Sequence, residues 1–532
     1  MPMSVVLAGI ALGAALMLML VNSVLTSLRH RAKARELGCK PLVRTPSLDP
    51  SGIWALYLGF KASKAKRFPD FLQEVYNRIQ EHQGRAVSTS ALVSPFFKRV
   101  IFTAEPRNIQ TMLALKFKDF GLGVNRTENF APLLGNGIFA TNGKQWEHSR
   151  ALLRPQFVRS QVSDLDLEER HVKNMMAVLD QHLGRDGWTG LVDLQVLFFR
   201  LTLDSATEFL FGESVNSQID QQHSIKNTGK DDGSFAYAFD RSQFIMAIAA
   251  RLGKNYWLMH TPEFRRMVQR VHDFVDYFVQ KAMNKPSEKK ADHYVFLNAL
   301  AEQTQDPAEV RSQLLNILLA GRDTTASLLG WFFHTLADER YQPIYKRLRK
   351  IIVEDFGPYS DPRSVTFERM KNCQYLQWCI NEALRLFPVV PMNVRTALTD
   401  TTLPTGGGPD GTWPVFVPKG TDIGYSVYIM HRRKDLWGED AEVFRPERWE
   451  TRKPGWDYLP FNGGPRICIG QQFALTEIAY VVVRMMQRID EVDGSAAGPV
   501  KHGLTLTNCP ADGVKLRLHF AEQAYGSGSD VR

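Results

Sequence analysis

The sequence predicts a mostly α protein with small β-sheets, carried on one N-terminal transmembrane helix. Three observations predict it. Long segments place apolar residues at three- and four-residue intervals, β-rich pieces are short, and the first apolar stretch runs without a charge from Val5 to Val21. With 532 residues, 44% of them hydrophobic and 23% charged, the chain has room for one large domain or two or three smaller ones.

The N-terminal stretch continues through small polar residues to Leu28, about the ~20 residues that a bilayer-spanning helix needs. Arg29, Arg31, Lys33 and Arg35 follow and no charge precedes, so the positive-inside rule leaves the bulk of the chain in the cytosol. The alternative, a cleaved signal peptide, carries its basic residues ahead of the apolar run. Pro41, Pro46 and Pro50 then mark a stiff hinge. The expected division is an anchor over 1–28, a basic, proline-containing hinge over 29–50 and the main domain over 51–532.

Within that domain the periodicity predicts helices over Phe68 to His82, Asp164 to Leu183, Val192 to Phe211, Glu263 to Asn284 and about Pro307 to Glu339. Strands are expected in Ser94 to Thr103 and Val415 to Tyr428, and an exposed loop over Asn216 to Ser234. The triplet Gly406 to Gly408 neither follows a convincing strand nor opens a helix, so no phosphate cradle is expected there. Five cysteines lie at spacings that fit neither a disulfide framework nor a zinc cluster. The net charge of +9 has no basic block with interleaved aromatics, which argues against nucleic acid and leaves an anionic membrane or an acidic protein as partners.

Chemistry concentrates in four places. Phe461-Asn462-Gly463-Gly464-Pro465-Arg466-Ile467-Cys468-Ile469-Gly470 sets a glycine-flanked cysteine at the start of a helical pattern. A helix N-terminus and a bound metal both favour the thiolate, and Gly464 and Gly470 let backbone approach a flat macrocycle. Read alone, the loop also fits a buried structural cysteine. Its spacing, Phe-x-x-Gly-x-Arg-x-Cys-x-Gly, resembles the haem-binding loop of the cytochrome P450 monooxygenases, which implies Cys468 as the iron ligand of haem b and Phe461, Gly464, Arg466 and Gly470 as cofactor-binding residues.

Ala320-Gly321-Arg322-Asp323-Thr324-Thr325 is a poor choice for mid-helix stability, since glycine and threonine weaken helices. It resembles the oxygen-binding kink of the same family, implying Thr324 as the oxygen-activating hydroxyl and Asp323 as the proton-relay acid; alone, it also fits a cap on a new helix. Glu382 and Arg385, at i and i+3, share one helix face and by spacing alone are a surface ion pair. With Arg448 from Phe444-Arg445-Pro446-Glu447-Arg448-Trp449, they resemble the family's buried charge network that holds the cysteine loop. Trp146 and Arg150, Arg395 and Arg466 match the family's donors to the haem propionates, a task that suits arginine; a surface position is the other reading for Trp146, Arg150 and Arg395.

The resemblance covers roughly residues 50 to 520, and the segments Ala320 to Ala326, Thr399 to Gly411, Tyr425 to Glu450 and Tyr458 to Glu477 are similar to the fungal branch that hydroxylates n-alkanes and fatty acids. It implies a membrane-bound enzyme of the endoplasmic reticulum with its catalytic domain in the cytosol. O₂ and NADPH-derived electrons from NADPH-cytochrome P450 reductase would turn a lipophilic R–H into R–OH and water. Tailoring of a polyketide or terpenoid, and a non-oxygenase haem-thiolate isomerase, are the alternatives. Specificity is not readable in Phe117 to Phe139 or Phe235 to Met259, the expected pocket and entrance regions.

Overall fold

The computed structural model describes residues 3–43, 52–84, 87–94, 98–158, 165–219, 233–284 and 294–521. Helix α1 spans Met3–Glu36, past the Leu28 boundary expected from hydropathy. Arg, Lys and Ala are good helix formers, and Lys33 and Arg35 in the last turn complement the negative end of the helix dipole. The expected hinge therefore begins inside a helix; its Pro46 and Pro50 lie outside the described residues. Leu12, Met17, Leu18 and Leu20 are exposed along α1, which among the described residues is the helix long and apolar enough to cross a membrane.

The chain divides into two compact units. The first comprises Met1–Leu58, Gln73–Gly121 and Asn393–Ser426. Its five-stranded sheet runs, in spatial order, Thr89–Ser94, Lys98–Thr103, Asp422–Ser426, Met392–Ala397 and Phe120–Gly121. The β piece expected over Ser94 to Thr103 is one arm of an antiparallel pair registered from Thr89↔Thr103 to Ser94↔Lys98, with 95–97 outside the described residues. The piece expected over Val415 to Tyr428 is two strands in different sheets, Trp413–Val417 and Asp422–Ser426, parted by a turn at Gly420. The glycine triplet has a packing explanation. Gly406 and Gly408 have φ of 115° and 77°, and a Cβ on Gly407 would lie 2.7 Å from the Lys40 carbonyl oxygen. The chain at Leu42, which bridges to Gly407, can cross there because no side chain intervenes. The tail of α1 is fixed in the same unit, where Lys33 Nζ lies 2.9 Å from Asp400 Oδ2.

The second unit, Gly59–Leu72, Leu122–Met392 and Val427–Arg532, is helical. We use α2 for Gly143–Leu153, α3 for Asp166–Asp180, α4 for Leu194–Phe211, α5 for Phe235–Arg251, α6 for Pro262–Met283, α7 for Pro307–Leu336, α8 for Gln374–Leu386 and α9 for Gln471–Arg488. Asp164 and residues 220–232 of the expected Asn216 to Ser234 loop lie outside the described residues. Helix α4 starts two residues after Val192 because Val192 and Asp193 pair with the C-terminal strand Lys515–Phe520. The Asp193 carboxylate caps the helix by accepting from the Gln195 N–H at 3.0 Å, and Gly212 ends it at φ 78°.

Helix α7 is the axis of this unit. Asp306 accepts from the Ala308 N–H at 2.9 Å and Pro307 occupies the first turn. From Ser312 to Ala337 every residue is buried except Ala320, Gly321 and Thr324. A helix apolar on nearly all sides belongs in a core, and Leu328, Leu329, Trp331, Phe332 and Phe333 pack there with residues of α4 and α9. The three exceptions fall on one face and make the single break in that burial.

Candidate active site

The cysteine loop is shaped by its glycines. Gly464 has φ 67° in a short 3₁₀ turn over Gly464–Arg466, and a Cβ on Gly463 would lie 2.8 Å from the Trp456 ring. The Cys468 N–H donates to the Phe461 carbonyl at 3.0 Å, closing the loop. Gly470 then caps α9. Cys468 is exposed and opens onto a cavity of about 420 Å³ shared with Arg150, Arg154, Pro155, Phe157, Val158 and Ile469. Burial of the surrounding loop nevertheless pushes its thiol up, against the Gly470 N–H and the Arg150 charge, which pull it down. A cation at the sulfur would add to the pull of the Gly470 N–H and Arg150 towards the thiolate.

Helix α2 supplies the cationic side of the loop. Arg150 Nη1 donates to the Ile467 carbonyl at 3.0 Å, and Arg466 lies with its guanidinium 4.4 Å from the centre of the buried Trp146 ring. Arg466 Nη2 donates to the Thr141 carbonyl at 2.9 Å and to Asn142 Oδ1 at 3.2 Å. Trp146, Arg150, Arg466 and Cys468 are thus brought together. Arg395 belongs to the first unit, where it is buried, donates to the Val394 carbonyl at 2.9 Å and lies 5.7 Å from the centre of the Tyr425 ring.

The surface-pair reading of Glu382 and Arg385 is overturned by burial: both side chains are 0% exposed. Glu382 accepts from Arg385 Nε at 2.9 Å and Nη2 at 2.8 Å, from Arg448 Nε at 2.8 Å, from Trp449 Nε1 at 3.0 Å and from the Arg445 N–H at 2.9 Å. Arg385 Nη1 also donates to the carbonyls of His431 and Ala441, at 2.8 and 2.6 Å. Burial with this many partners satisfies each charge. Sequence reading missed His431, which carries the network to the cysteine loop. Its Nε2 accepts from the Leu459 N–H at 2.9 Å, so its Nδ1 carries the proton and donates to the Arg385 carbonyl at 3.1 Å. Leu459 lies two residues before Phe461.

On α7 the helix continues unbroken through Gly321, so Asp323, Thr324 and Thr325 do not cap a new one. Thr324 Oγ1 donates to the Ala320 carbonyl at 2.6 Å, a local back-bond of the kind that slightly bends helices. A Cβ on Gly321 would meet nothing within 4 Å. The break in the burial of α7 is therefore real space with a hydroxyl at its edge. Asp323 is buried behind it, with Oδ1 3.3 Å from Arg322 Nη1. Burial pushes its carboxyl up to about 6, with Arg322 opposing.

The family model for cytochrome P450 matches residues 53–493. The chain belongs to the cytochrome P450 family. It is 49% identical over 522 residues to cytochrome P450 monooxygenase g430 of Fusarium sp, covering 96% of this chain and 90% of that one. It is 44% identical over 507 residues to cytochrome P450 52A12 of Debaryomyces hansenii, covering 92% and 94%, and 45% identical over 489 residues to cytochrome P450 monooxygenase alt2 of Alternaria solani, covering 89% of each. This P450 is accordingly an oxidoreductase of the monooxygenase class, which works with a haem iron, O₂, a redox partner and a lipophilic substrate.

The residues present fit such a group. Among the described residues no cluster of three or more His, Cys, Asp or Glu gathers to hold a metal, so a metal ligated by Cys468 has to bring its other ligands with it, as a macrocycle does. A free thiol in an open cavity, with Arg150 beside it, is the donor set that this P450 offers. Arg154, also on the cavity wall, was legible as the next step of the four-residue spacing Trp146, Arg150, Arg154, and was missed.

Proposed function

We propose that this P450 hydroxylates a medium- or long-chain fatty acid or n-alkane at or near its terminal carbon. The observation that carries the reading is the placement of Thr324 at the one opening in α7, in a chain whose Cys468 offers a free thiol to a cavity. Haem b would be ligated through Cys468, with Trp146, Arg150, Arg395 and Arg466 at its propionates and Phe461, Gly464 and Gly470 shaping the loop against it. When bound, it supplies the oxygen-activating redox chemistry, favoured by an anionic sulfur ligand.

The protein's own share is positional. The Thr324 hydroxyl, released from the Ala320 carbonyl, can donate a hydrogen bond into the opening, and Asp323 can hold a replacement proton because its carboxyl titrates near neutrality. The Glu382–Arg385–Arg448 network, through His431, fixes the leading edge of the cysteine loop. The balance is R–H, O₂, two electrons and two protons giving R–OH and water. Electrons would come from NADPH-cytochrome P450 reductase, with α1 anchoring the domain on the cytosolic face of the endoplasmic reticulum membrane. The anchor places the entrance where lipids concentrate, and each buried methylene gains about 0.8 kcal/mol. A terminal C–H is the stronger bond, so attack there relies on orientation of the chain end. The resemblance of Tyr425 to Glu450 and Tyr458 to Glu477 to the fungal alkane and fatty-acid branch supports the substrate class.

The test is product analysis with the reconstituted enzyme and reductase on dodecanoate, hexadecanoate and hexadecane, together with Cys468→Ala. Terminal alcohols or diacids are expected, and Cys468→Ala loses both product and the thiolate-type carbon monoxide difference band. Coupled turnover of a polycyclic substrate alone would overturn the substrate reading; a retained band in Cys468→Ala would overturn the ligand.

A further inference from the structure

Asp323 does not stand alone behind Thr324. Its neighbour Arg322 is 2% exposed and lies between two aromatic rings, 5.5 Å from the centre of Phe199 on α4 and 5.9 Å from that of Phe239 on α5. The guanidinium is shared between two carboxylates. Arg322 Nη1 and Nη2 both bond Asp240 of α5, Nη2 at 3.2 Å to Oδ2, while Nη1 lies 3.3 Å from Asp323 Oδ1. Asp240 is 48% exposed and so forms the water-side end of the array.

Two carboxylates on one guanidinium leave the pair short of one positive charge. Asp240 makes the better hydrogen bonds, so the deficit falls on Asp323, the buried partner. A neutral amide relieves it in part. From α5, Gln243 donates an amide hydrogen bond to the carboxylate. From the C-terminal hairpin, Cys509 feels Asp323 and Asp240 but is held as a neutral thiol, pushed up to about 12 chiefly by burial. On α4, Arg200 feels the charge of Asp204, which opposes the effect of its burial. On α9, Glu477 sits against the adjacent Thr325, and burial beside Glu168 keeps it well above the usual carboxylate range. Coulomb's law in a poorly solvated site makes the Asp240 charge count at this range.

We propose that Asp240 is a positioning residue for proton delivery in this P450: by occupying Arg322 it keeps the buried Asp323 from being locked into a full ion pair and so leaves it able to exchange a proton. A proton leaving Asp323 is replaced from solvent at the Asp240 edge, and Arg322 stays charged throughout. Asp240 sits on α5, inside the segment Phe235 to Met259 expected to form the entrance, so a displacement of α5 by an entering substrate alters the proton affinity of Asp323. The inference rests on the reading of Asp323 as the relay acid.

The experiment is an infrared pH titration of the protonated-carboxyl band in the haem-loaded full chain, the band being assigned to Asp323 by its absence in Asp323→Asn. Asp240→Asn is expected to lower the midpoint by about one pH unit or more and to shift the pH profile of product per NADPH the same way. Asp240→Glu, which keeps the charge, restores both. Asp240→Ser carries the same expectation if the Asn variant does not accumulate. An unshifted midpoint in a neutral variant that retains its carbon monoxide band overturns the proposal. Full product per NADPH in Asp323→Asn would instead overturn the relay reading, whatever the midpoint does.

Discussion

The two sides of the candidate site are built on opposite principles. The network beneath the cysteine loop buries Glu382, Arg385 and Arg448 with hydrogen bonds to each charged group. The α7 segment instead leaves Thr324 bonded only to its own helix, Gly321 beside empty space and Asp323 with less positive charge than it needs. A saturated network fixes a geometry, whereas an undersatisfied one can change protonation and partners during a reaction. The first arrangement suits a scaffold and the second a working group.

The largest test of that contrast is Glu382→Ala, which strands two buried arginines. It should cost about 3–5 kcal/mol, the penalty for breaking a buried ion pair, seen as a collapse of haem incorporation and of the denaturation midpoint. Thr324→Ala should leave haem content and stability near the parent's but lower product per NADPH by roughly a hundredfold, the scale of a lost acid–base contribution, with peroxide or water taking up the electrons. If Thr324→Ala unfolds the domain, or Glu382→Ala keeps haem, the contrast fails.

The two sides also respond to pH with opposite sign. His431 is neutral, because burial and then the Arg385 charge hold it well below its usual 6.5. Its contribution is present above 6.5 and is lost as pH falls, since the unfolded chain then binds the proton that the folded one refuses. Asp323 lies at about 6 against an ordinary 3.8, so the folded state binds the extra proton between those values. Its contribution is present below 3.8 and is lost as pH rises through 6. Stability measured from pH 4 to 7 should therefore fall less steeply with rising pH in Asp323→Asn than in the parent. In His431→Phe the acid-side loss should disappear. The smallest effect expected is the cost of His431→Phe at neutral pH, about 1–3 kcal/mol for orphaning the Leu459 N–H and the Arg385 carbonyl. A red-shifted or broadened carbon monoxide band would report the loosened loop.

The sequence was most informative where chemistry is local. The cysteine loop is contiguous and its glycines are needed for backbone reasons, so Phe461 to Gly470 was readable in one glance. Spacing showed Glu382 and Arg385 only as a pair, because i, i+3 looks the same on a surface; their burial with Arg448 was legible through the family resemblance. His431 and Asp240 left no trace: each meets its partner across 46 and 82 residues respectively, and neither lies in a spacing pattern. The helix that carries the expected anchor runs on to Glu36 because hydropathy ends at Leu28 while helix propensity does not.

Gly321 shows what the opening in α7 demands of the chain. Its backbone is helical and nothing lies within 4 Å of where a methyl would go, so alanine would fit without a clash and would strengthen the helix by about 1 kcal/mol. It would also narrow the open space on the face of α7 that Gly321 shares with Thr324. Helix stability and the open space beside Thr324 therefore pull in opposite directions at one residue.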